Sequence, residues 1–180
     1  DINKEAGGEI VLIAPRKIEL PGFLSILNLE MRDELPKYLK NHADKKVKIS
    51  DIKDIISYNK LENELRAPYG QLRFLNIGKD TTTQADLEII KKNLKTKART
   101  FFKAFHTENL DAILSMNNYH SAYSAVAEYP NLTIPMGYKE SGEPVSLTFI
   151  GKSNEEGKLL LLGYTFEQLS NHRKMPEIFK

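Results

Sequence analysis

One segment constrains the fold more than any other. Starting at Thr82 or Thr83, apolar residues recur at Leu87, Ile90, Leu94, Ala98, Phe101 and Phe105, in steps of three and four over about five turns. The opposite face carries Lys91, Lys92, Lys95, Lys97 and Arg99. That pattern predicts a long amphipathic helix with one buried stripe. From residue 110 the texture changes to short apolar runs between turns, so helix and strand both occur in the chain.

The remaining chain fits that division. Glu9 to Ala14 is a β-branched run behind Gly7-Gly8 and ahead of Pro15, and reads as a buried strand. Residues 23–42 place Leu24, Leu27, Met31, Leu35 and Tyr38 at helical spacing, interrupted by Pro36, which implies a kink or two successive helices. Ser50 is placed to cap a helix with Ile52, Ile55 and Ile56 inward, and a polar loop follows from Asn59 to Tyr69. Strands are expected at Leu110 to Leu114, Leu132 to Pro135 and Pro144 to Ile150, with a small-residue helix over Tyr119 to Glu128. Ser153 to Glu156 fits a capping box opening a last helix with Leu159, Leu162, Phe166 and Leu169 on one face. The expected class is α/β, a mixed sheet with flanking helices, and no linker or repeat argues against one domain over 1–180.

Composition removes whole classes of chemistry. The 26 basic and 24 acidic residues of this 180-residue chain nearly cancel, for a net charge of +2, and interleave along it. A nucleic-acid footprint would need them segregated. Zero cysteines exclude disulfides, thiolate zinc and a cysteine nucleophile. Apolar runs such as Leu159 to Leu162 are far short of the roughly 20 residues of a membrane span. The chain begins with Asp1 rather than Met, which fits a piece of a longer product, and shows no leader-like apolar stretch behind it. The expectation is a soluble, cytoplasmic protein without membrane or nucleic-acid partners.

The residues do not declare an active site by themselves. Phosphate-loop, dinucleotide and nucleophile-elbow patterns are absent, and the four histidines form no ligand motif, so no metal is expected. His42 and His106 fall where helices end and suit a helix C-terminus. His120 and Ser121, as helix neighbours, point about 100° apart, which disfavours them as base and nucleophile. Asn117-Asn118 just past a strand permits two readings, a turn in left-handed conformation or a pair of binding groups. Tyr69-Gly70-Gln71 carries the same ambiguity.

A resemblance adds what chemistry does not. The stretch reads Leu110-Asp-Ala-Ile-Leu, then Ala127-Glu-Tyr-Pro-Asn-Leu-Thr-Ile-Pro-Met-Gly-Tyr, then Gly142-Glu-Pro-Val-Ser-Leu-Thr-Phe-Ile-Gly-Lys. It closes on Glu156-Gly-Lys-Leu-Leu-Leu-Leu-Gly-Tyr-Thr-Phe-Glu-Gln and His172-Arg-Lys-Met-Pro. This order of motifs resembles the C-terminal portion of amidase signature family hydrolases. Upstream, Asp33 to Leu39, Ile49 to Asn59 and Tyr69-Gly70-Gln71 are similar to further family segments, so the likeness spans about 9–176. Glu128 and Ser146 depart from it at positions where the family often has Gly.

The resemblance implies a hydrolase of carboxamides working through a serine nucleophile, a second serine after a cis peptide bond, and a lysine base, with no cofactor. Those groups sit in a Gly/Ser-rich signature that these 180 residues do not contain, so no catalytic residue is carried over and the chain alone is expected to be inactive. Ser115, Met116, Asn117 and Asn118, and more weakly Tyr69 and Gln71, are the candidates for lining the pocket of a small amide substrate. A fragment of that sheet would expose an apolar face, which leaves room for a homo-oligomer. A stand-alone binding module and a transamidase component that works on charged tRNA are the rival expectations.

Overall fold

The computed structural model describes residues 2–14 and 17–175. Expectations resting on Asp1, Pro15 and Pro176 lie outside the described residues. In chain order the elements are α1 (Ile2–Glu5), α2 (Phe23–His42), α3 (Ile52–Leu61), α4 (Asn63–Arg66), α5 (Leu72–Lys79), α6 (Gln84–Phe101) and α7 (Ala104–Thr107). They continue as β1 (Ile113–Met116), α8 (Ser121–Ala127), β2 (Asn131–Tyr138), β3 (Pro144–Ile150) and α9 (Glu156–Ser170). Contacts divide them into two compact units, Leu20–Asn93 and Asp1–Glu19 with Leu94–Lys180.

The unit over Leu20–Asn93 is helical. Pro36 sits inside one continuous α2 rather than between two helices. Of the apolar residues at helical spacing, Leu24, Leu27, Met31 and Tyr38 are exposed, while Leu29 is buried. The reason is polar. The inward side of α2 carries Asn28, which donates to the Asp80 carboxylate at 2.9 Å, and Arg32, which donates to the Asp80 carbonyl at 3.1 Å. The Asn28 bond, with donors from Thr82, holds the Asp80 carboxyl well below the usual carboxylate range. Gly22 begins α2 in left-handed conformation, where a Cβ would lie 2.7 Å from Ile90 Cγ2.

Asp51, not Ser50, caps α3, its carboxylate accepting from Lys53 N at 2.8 Å and Asp54 N at 3.1 Å. Ser50 instead donates to the Asp54 carboxylate, at 2.6 Å through its hydroxyl. The predicted polar loop contains α4, where the Arg66 guanidinium lies 3.8 Å over the Tyr58 ring. The helix α5 was masked in the sequence by Gly70 before it and Gly78 within it. The start of α6 is as expected, with Thr83 Oγ1 bonded to the Asp86 carboxylate at 2.6 Å and accepting from Asp86 N at 3.1 Å.

The other unit holds a three-stranded sheet in the order β1-β3-β2, and both pairings are antiparallel. β1 lies two to three residues later than the sequence suggests, whereas β3 has the predicted bounds. Ile113 and Ile150 point to one face, where Ala98, Phe102, Phe105 and Ala127 pack on them. Leu147, Phe149 and Ile134 point to the other, covered by Leu159 and Phe166 of α9. α6 ends at Phe101, so the chain re-phases before α7 and Phe102 is buried while Phe101 is half-buried. The outer side of α9 is also apolar, with Leu160, Leu161 and Tyr164 more than 60% exposed.

Two expectations fail here. Residues 9–14 form no strand, and Leu12 is 93% exposed. A β-branched run is only equipped to pair, and among the described residues none offers it a ladder. Ser153 does not cap α9. Its hydroxyl donates to the Glu128 carbonyl at 3.0 Å, and the Glu155 carboxylate takes the Lys152 N–H at 2.9 Å, one residue earlier than the predicted box.

Candidate functional site

Of the predicted pocket residues, Ser115 to Asn118 occupy the end of β1 and the turn that leads into α8. Alternation along β1 sends Ser115 to the buried face and Met116 to the other, so the two do not share a surface; Ser115 is 5% exposed and Met116 49%. Asn117 turns the chain with φ 48°. Its backbone N–H donates to the Ser146 carbonyl at 2.8 Å, and its side-chain oxygen accepts the Ser146 N–H at 2.9 Å. Asn118 is exposed, and its carbonyl accepts from Ser121 N at 3.1 Å. Asn117 takes the turn reading of the pair: it makes the turn in left-handed conformation and pins the end of β1 to β3.

Behind the turn lies a polar rung across the sheet. Ser115, Thr148 and Thr133 stand side by side on β1, β3 and β2. The Thr148 hydroxyl donates to the Asn117 carbonyl through a short hydrogen bond. Its one proton is thereby used, so the Thr133 hydroxyl, 2.8 Å away, donates to Thr148. The Thr133 and Thr148 hydroxyls were not picked out by the sequence, although the alternation within Leu-Thr-Ile and Ser-Leu-Thr carries them.

His120 completes the arrangement. Its Nδ1 is 2.7 Å from Ser115 Oγ. The ring lies against Phe101 at 5.4 Å and Tyr123 at 5.6 Å between centroids. Sequence reasoning rightly set aside the adjacent Ser121 and missed the serine five residues back, because the Asn117 turn brings strand end and helix start together. Ser115 has too little exposure to attack a carbonyl carbon itself. What the pair offers is a rigidly held imidazole at the mouth of a hydroxyl-lined turn.

Burial lowers the His120 pKa from the ordinary 6.5, so the folded unit prefers the neutral ring. The unfolded chain then binds more protons near and below that value, and the associated stability is present above pH 6.5 and lost as pH falls. Urea midpoints of the native chain are expected to decline from about pH 7 to about pH 5 more steeply than those of His120→Gln. Parallel declines would contradict this assignment.

Tyr69 and Gln71 belong to the helical unit. Tyr69 is fully exposed. Gln71 precedes α5, and its side chain accepts from Asn59 at 3.3 Å and donates to the Ile56 carbonyl at 3.5 Å, tying α3 to the start of α5. Its observed role is to hold that junction. Among the described residues no group of His, Asp and Glu is arranged to hold a metal, and no helix is long and apolar enough to cross a membrane.

No family model matches the chain. It is nonetheless similar along nearly its whole length to amidases. It is 27% identical over 176 residues to a probable amidase of Arabidopsis thaliana, covering 96% of this chain and 31% of that protein. To a glutamyl-tRNA(Gln) amidotransferase chain of a Nostoc species it is 31% identical over 104 residues, 54% of this chain and 21% of that one. Among solved structures, an amidase family protein from Bacillus anthracis superposes with a TM-score of 0.79 at 32% identity, over 98% of this chain and 36% of that one. The peptide amidase of Stenotrophomonas maltophilia superposes with a TM-score of 0.71 at 22% identity, over 99% and 41%, a likeness of fold. The chain thus spans about a third of the curated amidase it matches.

Proposed function

We infer that this chain is the C-terminal portion of an amidase, a hydrolase of carboxamide C–N bonds, and that the turn from Ser115 to His120 lines its substrate pocket. The observation that carries this is the superposition on an amidase family protein over 98% of the chain at 32% identity. The family resemblance supplies the reaction. A serine oxygen attacks the amide carbon, the amine leaves with a proton relayed by a second serine and lysine, and water then frees the acid and the serine. The Gly/Ser-rich run that would hold those groups does not occur in these 180 residues. This portion therefore contributes sheet and pocket wall, through a turn whose polar atoms are held in place by Ser146, Thr148 and His120.

The test compares the whole polypeptide with the 180-residue chain for ammonia release from simple aliphatic and aromatic amides. Turnover by the whole polypeptide and none by the isolated chain is expected. Hydrolysis by the chain alone would place the nucleophile here, and an inert whole polypeptide would end the amidase reading.

A second reading is favoured by the likeness to the amidotransferase chain: transfer of amide nitrogen to a charged tRNA. The interleaved charge supplies no basic stripe for RNA, so such a protein would depend on partner chains for that contact. Glutaminase activity that requires added partner chains would identify it.

A further inference from the structure

The hydrogen bonds around Ser115 determine which nitrogen of His120 carries its proton. Ser115 is 5% exposed, and His120 Nδ1 at 2.7 Å is its hydroxyl's partner. A proton on Nδ1 would make the imidazole the donor and leave the serine O–H buried with no acceptor, at a cost of about 1–3 kcal/mol. With the proton on Nε2, the serine donates to Nδ1 and both groups are satisfied. A 180° turn of the ring would keep it against Phe101 and Tyr123 but put Cδ2 where Nδ1 stands and break the bond to Ser115. Nε2–H is then a fixed donor on a half-buried ring, with no acceptor among the described residues.

We propose that His120 is a specificity-determining residue that donates its Nε2–H to a carbonyl oxygen of a neutral amide substrate other than the one under attack, with Ser115 as the positioning residue that sets the tautomer. This deepens the amidase reading and rests on it. The pairing suits an uncharged acceptor: a preset neutral donor binds a carbonyl without requiring a counter-charge, and a carbonyl outside the bond being cleaved gains no charge in the transition state, so the contact is alike in both. Its contribution belongs in KM rather than kcat.

Two measurements test it. In the 180-residue chain, nitrogen NMR of the His120 ring should show the Nε2–H tautomer alone, and Ser115→Ala should release a mixture of both. In the whole enzyme, His120→Phe keeps the aromatic stacking but removes the donor, and should raise KM for a neutral amide that carries a second carbonyl about tenfold with kcat changed less than about threefold. His120→Gln, which retains an N–H, should recover most of that loss. An Nδ1–H tautomer, or a KM indifferent to His120→Phe in an active enzyme, overturns the proposal and leaves the amidase reading standing. A Phe variant that loses kcat and thermal stability together, with no rescue by Gln, assigns His120 a purely structural role and also overturns it. A whole polypeptide inert on every amide overturns the reading and the proposal with it.

Discussion

Phe102→Ala is expected to reduce the unfolding free energy by about 3–5 kcal/mol, the cost of removing a large aromatic ring from a closed core. Phe102 is 1% exposed and packs with its ring centroid 4.9 Å from Phe101, 6.2 Å from Phe105 and 5.5 Å from Tyr129. Ala98, Ile113 and Ile150 close the same cluster. Strand and helices on that face are pinned by the Asn117 turn and the Arg99 bond to the Ala127 carbonyl at 3.1 Å, which limits how far they can collapse into the void. The informative control is Phe101→Ala. Helical periodicity extended through α6 would bury Phe101, whereas the structure leaves it half-buried, so it should cost clearly less. Urea unfolding of both variants decides the matter, and a Phe101 variant as damaged as the Phe102 one would refute the phase described here.

The second large effect is expected from adding side chain rather than removing it. A Cβ on Gly163 would stand 2.4 Å from Leu132 Cδ2 and 2.6 Å from Ile134 Cδ1, where α9 lies on the sheet. Alanine trades two opposing terms. It gains about 1 kcal/mol of helix propensity over glycine and loses about 1–3 kcal/mol to crowding, relieved by rotation of two side-chain ends. A net change within about 2 kcal/mol is expected. Isoleucine gains no comparable relief, because its branched carbon must enter the sheet face itself. Gly163→Ile should cost about 3 kcal/mol or more, read as a fall in urea midpoint with unchanged slope. A Gly163→Ile chain of native stability would mean that α9 does not seat on β2 as described.

How much of this was readable beforehand depends on whether a residue's partners were local. β3 and the start of α6 were legible because strand turns and the Thr83–Asp86 cap are decided within a few residues. The Ser153 cap failed although its pattern was present, because Glu128, 25 residues away, competes for the same hydroxyl. On α2 two faces could have been buried, and the donors that Asp80 requires chose between them. The site divides in the same way. Ser115 to Asn118 were singled out from their position after a strand. His120 was weighed only against its neighbour in sequence, and its bond to Ser115 exists because a left-handed Asn117 reverses the chain. The segment 9–14 is the opposite case, a sequence fit for a strand with no ladder among the described residues.

The leucines on the outer side of α9 have a practical consequence in colloidal terms. A chain with an isoelectric point near 8.6 and a charge of +2 at neutrality has little Coulomb repulsion to keep copies apart. Raising the pH toward 8.6 removes what there is, just as Leu160, Leu161 and Tyr164 stay available for contact. Lowering it restores repulsion but begins to charge His120. Between those two limits lies a narrow working window, and Leu160→Lys or Leu161→Lys would widen it from the alkaline side without touching the face of α9 that holds the sheet.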